Sequence, residues 1–295
     1  MAIPESQLQT WSSQGSVTQS CATYEIIRNA LLANDSNYAD KSFEVFLQGS
    51  YGNDTNVYAE SDVDVVICLD STFRYYLENL SEAEKQAYRS YVSPATYSFE
   101  QFKGDVISHL RRRFGTGALS VGNKAITITG DQNRRDADVI VCHEYRNFQS
   151  FSLQRTWDYV AGIVFPTPFG EIINYPRQHS NNLTGQHQAT RNVLKPMVRV
   201  VKNMRNRLIR DGVIVSGVAP SYFIEGMLYN VSTGNFIGTY GDVFSNCINW
   251  LWNADRSNLV CPNRQYYLLG NSNIQWPSAK CDECLNALIK LWNDW

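Results

Sequence analysis

The run Asp62-Val63-Asp64-Val65-Val66-Ile67-Cys68-Leu69 limits the possible folds of this chain more than any other segment. It opens with acidic and apolar residues in alternation, and its apolar content then continues unbroken. That is the pattern of a strand that enters a sheet at its rim and is covered on both faces thereafter. A central strand of this kind needs helices over it, and the first half of the chain supplies them. Apolar residues recur at helical spacing over residues 21–32, and Ser81 with Glu84 forms a capping box at the start of another helix. Phe102, Val106 and Leu110 share one face of a helix over 99–114, which Gly115 and Gly117 end. Further strands are expected at 43–47, 124–129, 137–142 and from Gly162 to Phe165.

Beyond Pro176 the texture changes. A long helical region runs over 183–208, with Pro196 beginning or kinking part of it, and residues 213–218 read as an apolar turn. Pro220 suits a first helical position before 222–229, and further helices are expected at 243–252 and 281–292. The first twenty residues, with Pro4 and Trp11, read as an arm lying on the body of the protein. The division that follows is 1–175 as an α/β domain and 176–295 as a mainly helical one.

Charge narrows the function classes. Among 295 residues, 26 Lys and Arg face 28 Asp and Glu, a formal charge of -2, so nothing marks the whole chain as a nucleic-acid coat and any phosphate site must be local. The seven cysteines are odd in number and scattered, and no secretory n-region and h-region opens the chain, which reads as a reduced, cytoplasmic protein. No stretch of about 18 apolar residues is present, so no membrane insertion is expected.

The chemistry concentrates in Gly49-Ser50-Tyr51-Gly52-Asn53-Asp54-Thr55 followed by Asp62-Val63-Asp64. Residues two apart on a strand share a face, so Asp62 and Asp64 present two carboxylates together, a hard-oxygen site suited to Mg²⁺ carrying a triphosphate. Gly49 lets a backbone amide approach a phosphate and Ser50 adds a hydroxyl donor. Holding two ions about 4 Å apart takes a third acid. Asp138, opening the apolar strand 139–141, is the first choice and Asp136, of the same parity, its competitor. Lys195, Arg199, Lys202, Arg205, Arg207 and Arg210 gather positive charge on one helical stretch, as either a solvated face or an attractor of nucleotides, and Arg111, Arg112 and Arg113 end an earlier helix. Cys281 and Cys284 have metal-ligand spacing but no matching second pair. No nucleophilic Ser, Cys or His is assigned.

With these motifs in order, the chain resembles the nucleotidyltransferase superfamily of DNA polymerase beta type. Within it, the chain is similar to the bacterial cyclic-oligonucleotide synthases (CD-NTases) related to cyclic GMP-AMP synthase and oligoadenylate synthase. The resemblance rests on Gly49-Ser50, Asp62 and Asp64, the run from Lys124 to Val139 with Asp138, and Pro176-Arg177-Gln178-His179. It continues through the helix from Lys195 to Lys202 and Ser221-Tyr222, and it fades over the last 60 or so residues. It implies a polymerase-beta-like α/β lobe and a helical lobe with the active site between them. Asp62, Asp64 and Asp138 would bind two Mg²⁺ ions, with Mn²⁺ able to substitute. Lys202 and Ser221 would touch the donor triphosphate, and Tyr222 would stack on a base. Asn174 lies where residues of relatives help choose the base. NTPs would be the substrates, and a separate effector protein responding to the cyclic nucleotide would be the partner, in anti-phage defence. The histidine-and-cysteine insertion by which animal relatives sense DNA has no counterpart here, so no nucleic-acid activator is required. A linear oligonucleotide or RNA-end nucleotidyltransferase, and an inactive nucleotide-binding module, stay open as alternatives.

Overall fold

In the computed structural model the described residues are all but Met1, Ser16, 59–61 and Arg155. The elements run α1 (Glu5–Ser12), α2 (Val17–Leu31), β1 (Phe43–Leu47), α3 (Gly49–Gly52), β2 (Val63–Tyr76), α4 (Glu82–Tyr91), α5 (Phe99–Phe114), β3 (Leu119–Val121), β4 (Ile126–Ile128), β5 (Ala137–Ser150), β6 (Asp158–Thr167) and β7 (Gly170–Asn174). Five helices follow: α6 (Pro176–Ala189), α7 (Leu194–Arg210), α8 (Ser221–Tyr229), α9 (Tyr240–Asn253) and α10 (Ser278–Asn293). This is the expected mixed α/β part followed by a mainly helical one. Two compact units contain them: Thr18–Gln48 with Ser61–Pro176, and Met1–Val17 with Gly49–Glu60 and Arg177–Trp295.

The first unit is built on a mixed sheet in the order β1-β2-β5-β4-β3, with β6 also pairing β5 and β7 pairing β6. β2 and β5 are parallel along their length, and every other pair is antiparallel. Val63, Val65, Val66, Ile67 and Leu69 are completely buried, as a central strand requires. β2 outruns its expected end at Leu69, reaching Tyr76 through an irregularity between Leu69 and Phe73. Its last residues alternate too weakly in polarity to be read as strand. α5 packs on β5 with Phe102, Val106 and Leu110 buried, and capping boxes at Ser81 and Ser98 start α4 and α5.

Gly162 on β6 has a packing reason to be glycine. A Cβ there would lie 2.8 Å from the Asn174 carbonyl oxygen and 3.0 Å from the Tyr175 ring. Gly162→Ala is therefore expected to force the end of β7 away and to cost about 1–3 kcal/mol of stability, read as a lowered urea midpoint.

In the second unit α1, α8, α9 and α10 each pack on α7 or on one another around Leu8, Val198, Val201, Met227, Phe244 and Leu288. The N-terminal arm is thus partly a helix, with Leu8 wholly buried. The long helical region expected over 183–208 is two helices. Arg191 (φ 53°) and Asn192 (φ 66°) take left-handed conformations at the break. Pro196 falls at the third position of α7, where its missing N–H has no partner to lose. Pro220 caps α8 rather than beginning it. Among the described residues no helix is long and apolar enough to cross a membrane.

Candidate active site

The acidic residues lie in the sheet unit. Asp64 and Asp138 are register partners on the parallel strands β2 and β5. Neighbours in register on parallel strands project to the same face, with their backbones about 4.8 Å apart. Both residues are half-buried, whereas Asp62, one residue before β2, is exposed. Thr127 on β4 is also a register partner of Asp138, and its hydroxyl donates to Asp138 Oδ1 at 2.7 Å. That bond orients the carboxylate from the side away from β2. The competitor Asp136 is exposed and accepts the Gly130 amide at 2.6 Å, closing the turn before β5.

Among the described residues no three His, Cys, Asp or Glu side chains stand together closely enough to enclose a metal ion. The adjacent Asp64 and Asp138 nonetheless suit Mg²⁺ chemically. That ion prefers carboxylate oxygen and is usually held by one or two carboxylates, with the substrate's phosphates and water completing its shell.

Asn174 ends β7 in the same unit, and its Oδ1 accepts the Tyr175 amide at 2.8 Å, which fixes the orientation of the carboxamide.

Gly49, Ser50 and the rest of the loop to Thr55 lie in the helical unit. Gly49 takes φ 70°, a conformation that favours glycine, and it opens the short helix α3. Lys202, fully buried on α7, donates to Ser50 Oγ and to the Thr55 carbonyl, both at 2.9 Å. Ser50 and Lys202, assigned together from sequence, are thus in direct contact. The basic stretch of α7 divides: Arg207, half-buried, and Arg210, exposed, pair with Asp211, while the residues before them turn inward. Lys195, buried, donates to Asp54 Oδ2 at 3.0 Å, Arg199 donates to the Asp54 carbonyl at 2.5 Å, and Arg205, buried, donates to the Ala219 carbonyl at 2.6 Å.

Ser221 opens α8. Tyr222 beside it is half-buried, with its ring 4.9 Å from His179 at 35° and its hydroxyl accepting from Asn263 at 3.0 Å. Burial pushes the Tyr222 phenol far above its usual range.

Sequence reasoning passed over Glu225, which accepts from Asn53 at 3.1 Å, from His179 Nε2 at 2.7 Å and from the Thr55 hydroxyl. The available signal was a single carboxylate in the apolar run Ile224-Glu225-Gly226-Met227-Leu228.

Other motifs serve the fold. Arg112 and Arg113 both pair with Asp35 and tie the end of α5 to a loop. Cys281 and Cys284 are buried in the helical core, where burial pushes their thiols up to about 11 and about 12, away from the thiolate form that binds metal.

Residues 181–293 match the family of cGAS/DncV-like nucleotidyltransferase C-terminal helical domains. The whole chain is 37% identical to the cyclic nucleotide synthase CdnE01 of Staphylococcus haemolyticus, with 100% of both covered. The chain belongs to the CD-NTase family. Among solved CD-NTases it is similar to the Rhodothermus marinus CdnE c-UMP-AMP synthase with Apcpp and Upnpp (TM-score 0.89, 37% identity, 99% of this chain and 97% of that one). It is also similar to the Elizabethkingia meningoseptica CdnE cyclic dinucleotide synthase with GTP and Apcpp (TM-score 0.77, 32% identity, 99% and 98%).

Proposed function

We propose that this CD-NTase joins nucleoside triphosphates into a cyclic di- or oligonucleotide that serves as a second messenger in anti-phage defence. The observation that carries the reading is the pairing of Asp64 with Asp138 on adjacent parallel strands, in a chain whose full-length relatives are named as cyclic nucleotide synthases. Along the chain, 1–175 is the nucleotidyltransferase domain and 176–295 the helical nucleotide-binding domain, with 1–17 and the loop at 49–56 belonging to the compact unit of the latter, and the protein works in the cytoplasm. A separate effector protein reads the product.

In each transfer a ribose hydroxyl oxygen bonds to the α-phosphorus of a second nucleotide, the hydroxyl proton passes to solvent, and the bond to the β-phosphate breaks to release pyrophosphate. A second attack within the linear intermediate closes the ring. Asp62, Asp64 and Asp138 would hold Mg²⁺ or Mn²⁺, which would neutralise phosphate oxygens and acidify the attacking hydroxyl. Thr127 keeps Asp138 aimed. The Gly49 backbone and the Ser50 hydroxyl receive the donor triphosphate, and Lys202 and Ser221 contribute a cation and a donor. Such chemistry depends on alignment and fixed charge rather than a covalent protein nucleophile.

Base choice varies among relatives, which include a cyclic UMP-AMP synthase and a cyclic dipurine nucleotide synthase. Tyr222 gives a base-tolerant stacking surface, and Asn174 offers both a donor and an acceptor. Tyr222→Ala should weaken use of all four NTPs together. Asn174→Ala should change their relative use by about 10- to 100-fold. Product ratios from an equimolar NTP mixture check both, and unchanged ratios in a folded, active Asn174→Ala protein would remove that residue as a selector.

The reaction class is tested with α-labelled NTPs, Mg²⁺ or Mn²⁺ and no primer. Label is expected to enter a phosphatase-resistant, RNA-free product. A primer requirement would instead indicate RNA-end transfer, and tight binding without turnover an inactive module.

A further inference from the structure

We propose that Glu225 is a positioning residue that sets the shape of the loop at 49–56, and that by doing so it governs how Ser50 meets a triphosphate. The second clause rests on the function proposed above, while the first stands on geometry alone.

Glu225 is 3% exposed on α8 and lies among apolar neighbours, where an ionised carboxylate is costly unless every lone pair is used. Three donors reach it: the Asn53 amide, the Thr55 hydroxyl and His179 Nε2. An ionised carboxylate only accepts, so Nε2 of His179 carries a hydrogen. Burial raises the carboxyl, but the His179 hydrogen bond and charge, Lys202 and Thr55 together outweigh it, and Glu225 is held below the usual carboxylate range. The group is therefore a fixed negative charge at neutral pH.

Two of its three partners belong to the loop. Asn53 and Thr55 are themselves buried, so their side chains cannot exchange Glu225 for water without moving the loop. The backbone holds its own turn through Asn53 N to Gly49 O at 3.0 Å and Thr55 N to Ser50 O at 2.9 Å, yet it carries left-handed conformations at Gly49 (φ 70°) and Asp54 (φ 56°). Asp tolerates that conformation better than most non-glycine residues, though still at a cost that constraint from its surroundings must offset. Lys195 on the Asp54 carboxylate, Arg199 on the Asp54 carbonyl and Lys202 on the Thr55 carbonyl supply part of that constraint. Glu225 supplies the anionic anchor on which Asn53 and Thr55 converge.

The link to Ser50 runs through Lys202. The lysine ammonium has donors and no acceptor, so Ser50 Oγ accepts from it and the hydroxyl rotor is set with its own hydrogen directed elsewhere. Lys202 also bonds the Thr55 carbonyl and is coupled electrostatically to Glu225. Loss of the carboxylate thus loosens Thr55 directly and changes the charge environment that keeps Lys202 on Ser50.

Amide hydrogen exchange of the nucleotide-free full chain tests the first clause with Thr55→Val, Thr55→Ser and Glu225→Gln. Val matches Thr in shape and removes the hydroxyl, whose short bond is the one to Glu225 and whose other contact, to the Ser50 carbonyl, is long at 3.4 Å, so Thr55→Val keeps the test decisive where Glu225→Gln does not fold. Thr55→Val, and Glu225→Gln if folded, should speed exchange over 49–56 at least about 10-fold with the α9 and α10 amides unchanged, whereas Thr55→Ser should match wild type. Wild-type loop exchange in folded Thr55→Val would overturn the proposal. The second clause is read from affinity for nonhydrolysable ATP, GTP, CTP and UTP analogues. Thr55→Val should weaken binding about 10-fold and Thr55→Ser should restore it. A loosened loop with unchanged affinity would overturn the second clause. A wild-type protein that binds none of the analogues would sink the proposed function and leave the exchange result to decide the role of Glu225.

Discussion

Asp64→Asn and Asp138→Asn should each lower synthesis by about 10³-fold or more without unfolding the protein. Asn keeps the shape of Asp but replaces a negative acceptor pair with one carbonyl and an amide, which cannot hold divalent ions or neutralise a phosphate in the same way. At position 138 the remaining carbonyl can still accept from Thr127, so the local hydrogen bond survives and the urea midpoint should move little. Parallel loss of activity in the two variants is expected because the residues are register partners and serve one centre. Asp62→Asn should follow them. Asp136→Asn should act differently: its carboxylate closes the turn at Gly130, so the variant should lose some stability and keep activity. A fully active Asp138→Asn with an inactive Asp136→Asn would transfer the role to Asp136.

Lys202→Met should do two things at once. It removes a fully buried cation that donates to Ser50 and to the Thr55 carbonyl, and it leaves Glu225 as a buried anion with less compensation. Removing one member of a buried charge cluster typically costs about 3–5 kcal/mol, so a large drop in the urea midpoint is expected together with poor NTP use. Adding Glu225→Gln should recover part of the stability, since the stranded charge is gone, but none of the activity. Strict additivity of the two stability losses would show that the residues are uncoupled.

The same network sets an acid limit. Despite burial, the donors around Glu225 hold its carboxyl below the ordinary glutamate value of 4.5, so the stability it adds is fully present above pH 4.5 and is lost as pH falls through the lowered folded value. Glu225→Gln should flatten that part of the stability profile.

Where local pattern and tertiary environment agree, the chain was readable. The strand at Asp62 to Leu69 announces its centrality through apolar content, and Ser81 and Glu84 announce a helix start through two hydrogen bonds made within one turn. The end of β2 was not readable, because residues beyond Leu69 are held by pairing with β5 rather than by their own propensity. Lys195, Lys202 and Arg205 look like surface cations at helical spacing, and only the long-range arrival of residues 49–56 and the Ala219 carbonyl turns them inward. Glu225 is hidden for the same reason: its partners at positions 53, 55 and 179 are distant in sequence. Asp64 and Asp138 stand in between. Their type and spacing suggested a shared task, but their register could come only from the sheet.

The most direct measurement is the mass of the product made by the purified chain from all four NTPs with Mg²⁺, taken after phosphatase treatment. A ring weighs the sum of its nucleoside monophosphates less one water per linkage and has no phosphomonoester to lose. A species of that mass, absent with Asp64→Asn, is the predicted result. A product whose phosphatase-treated mass is that of a linear chain with free terminal hydroxyls would contradict cyclisation.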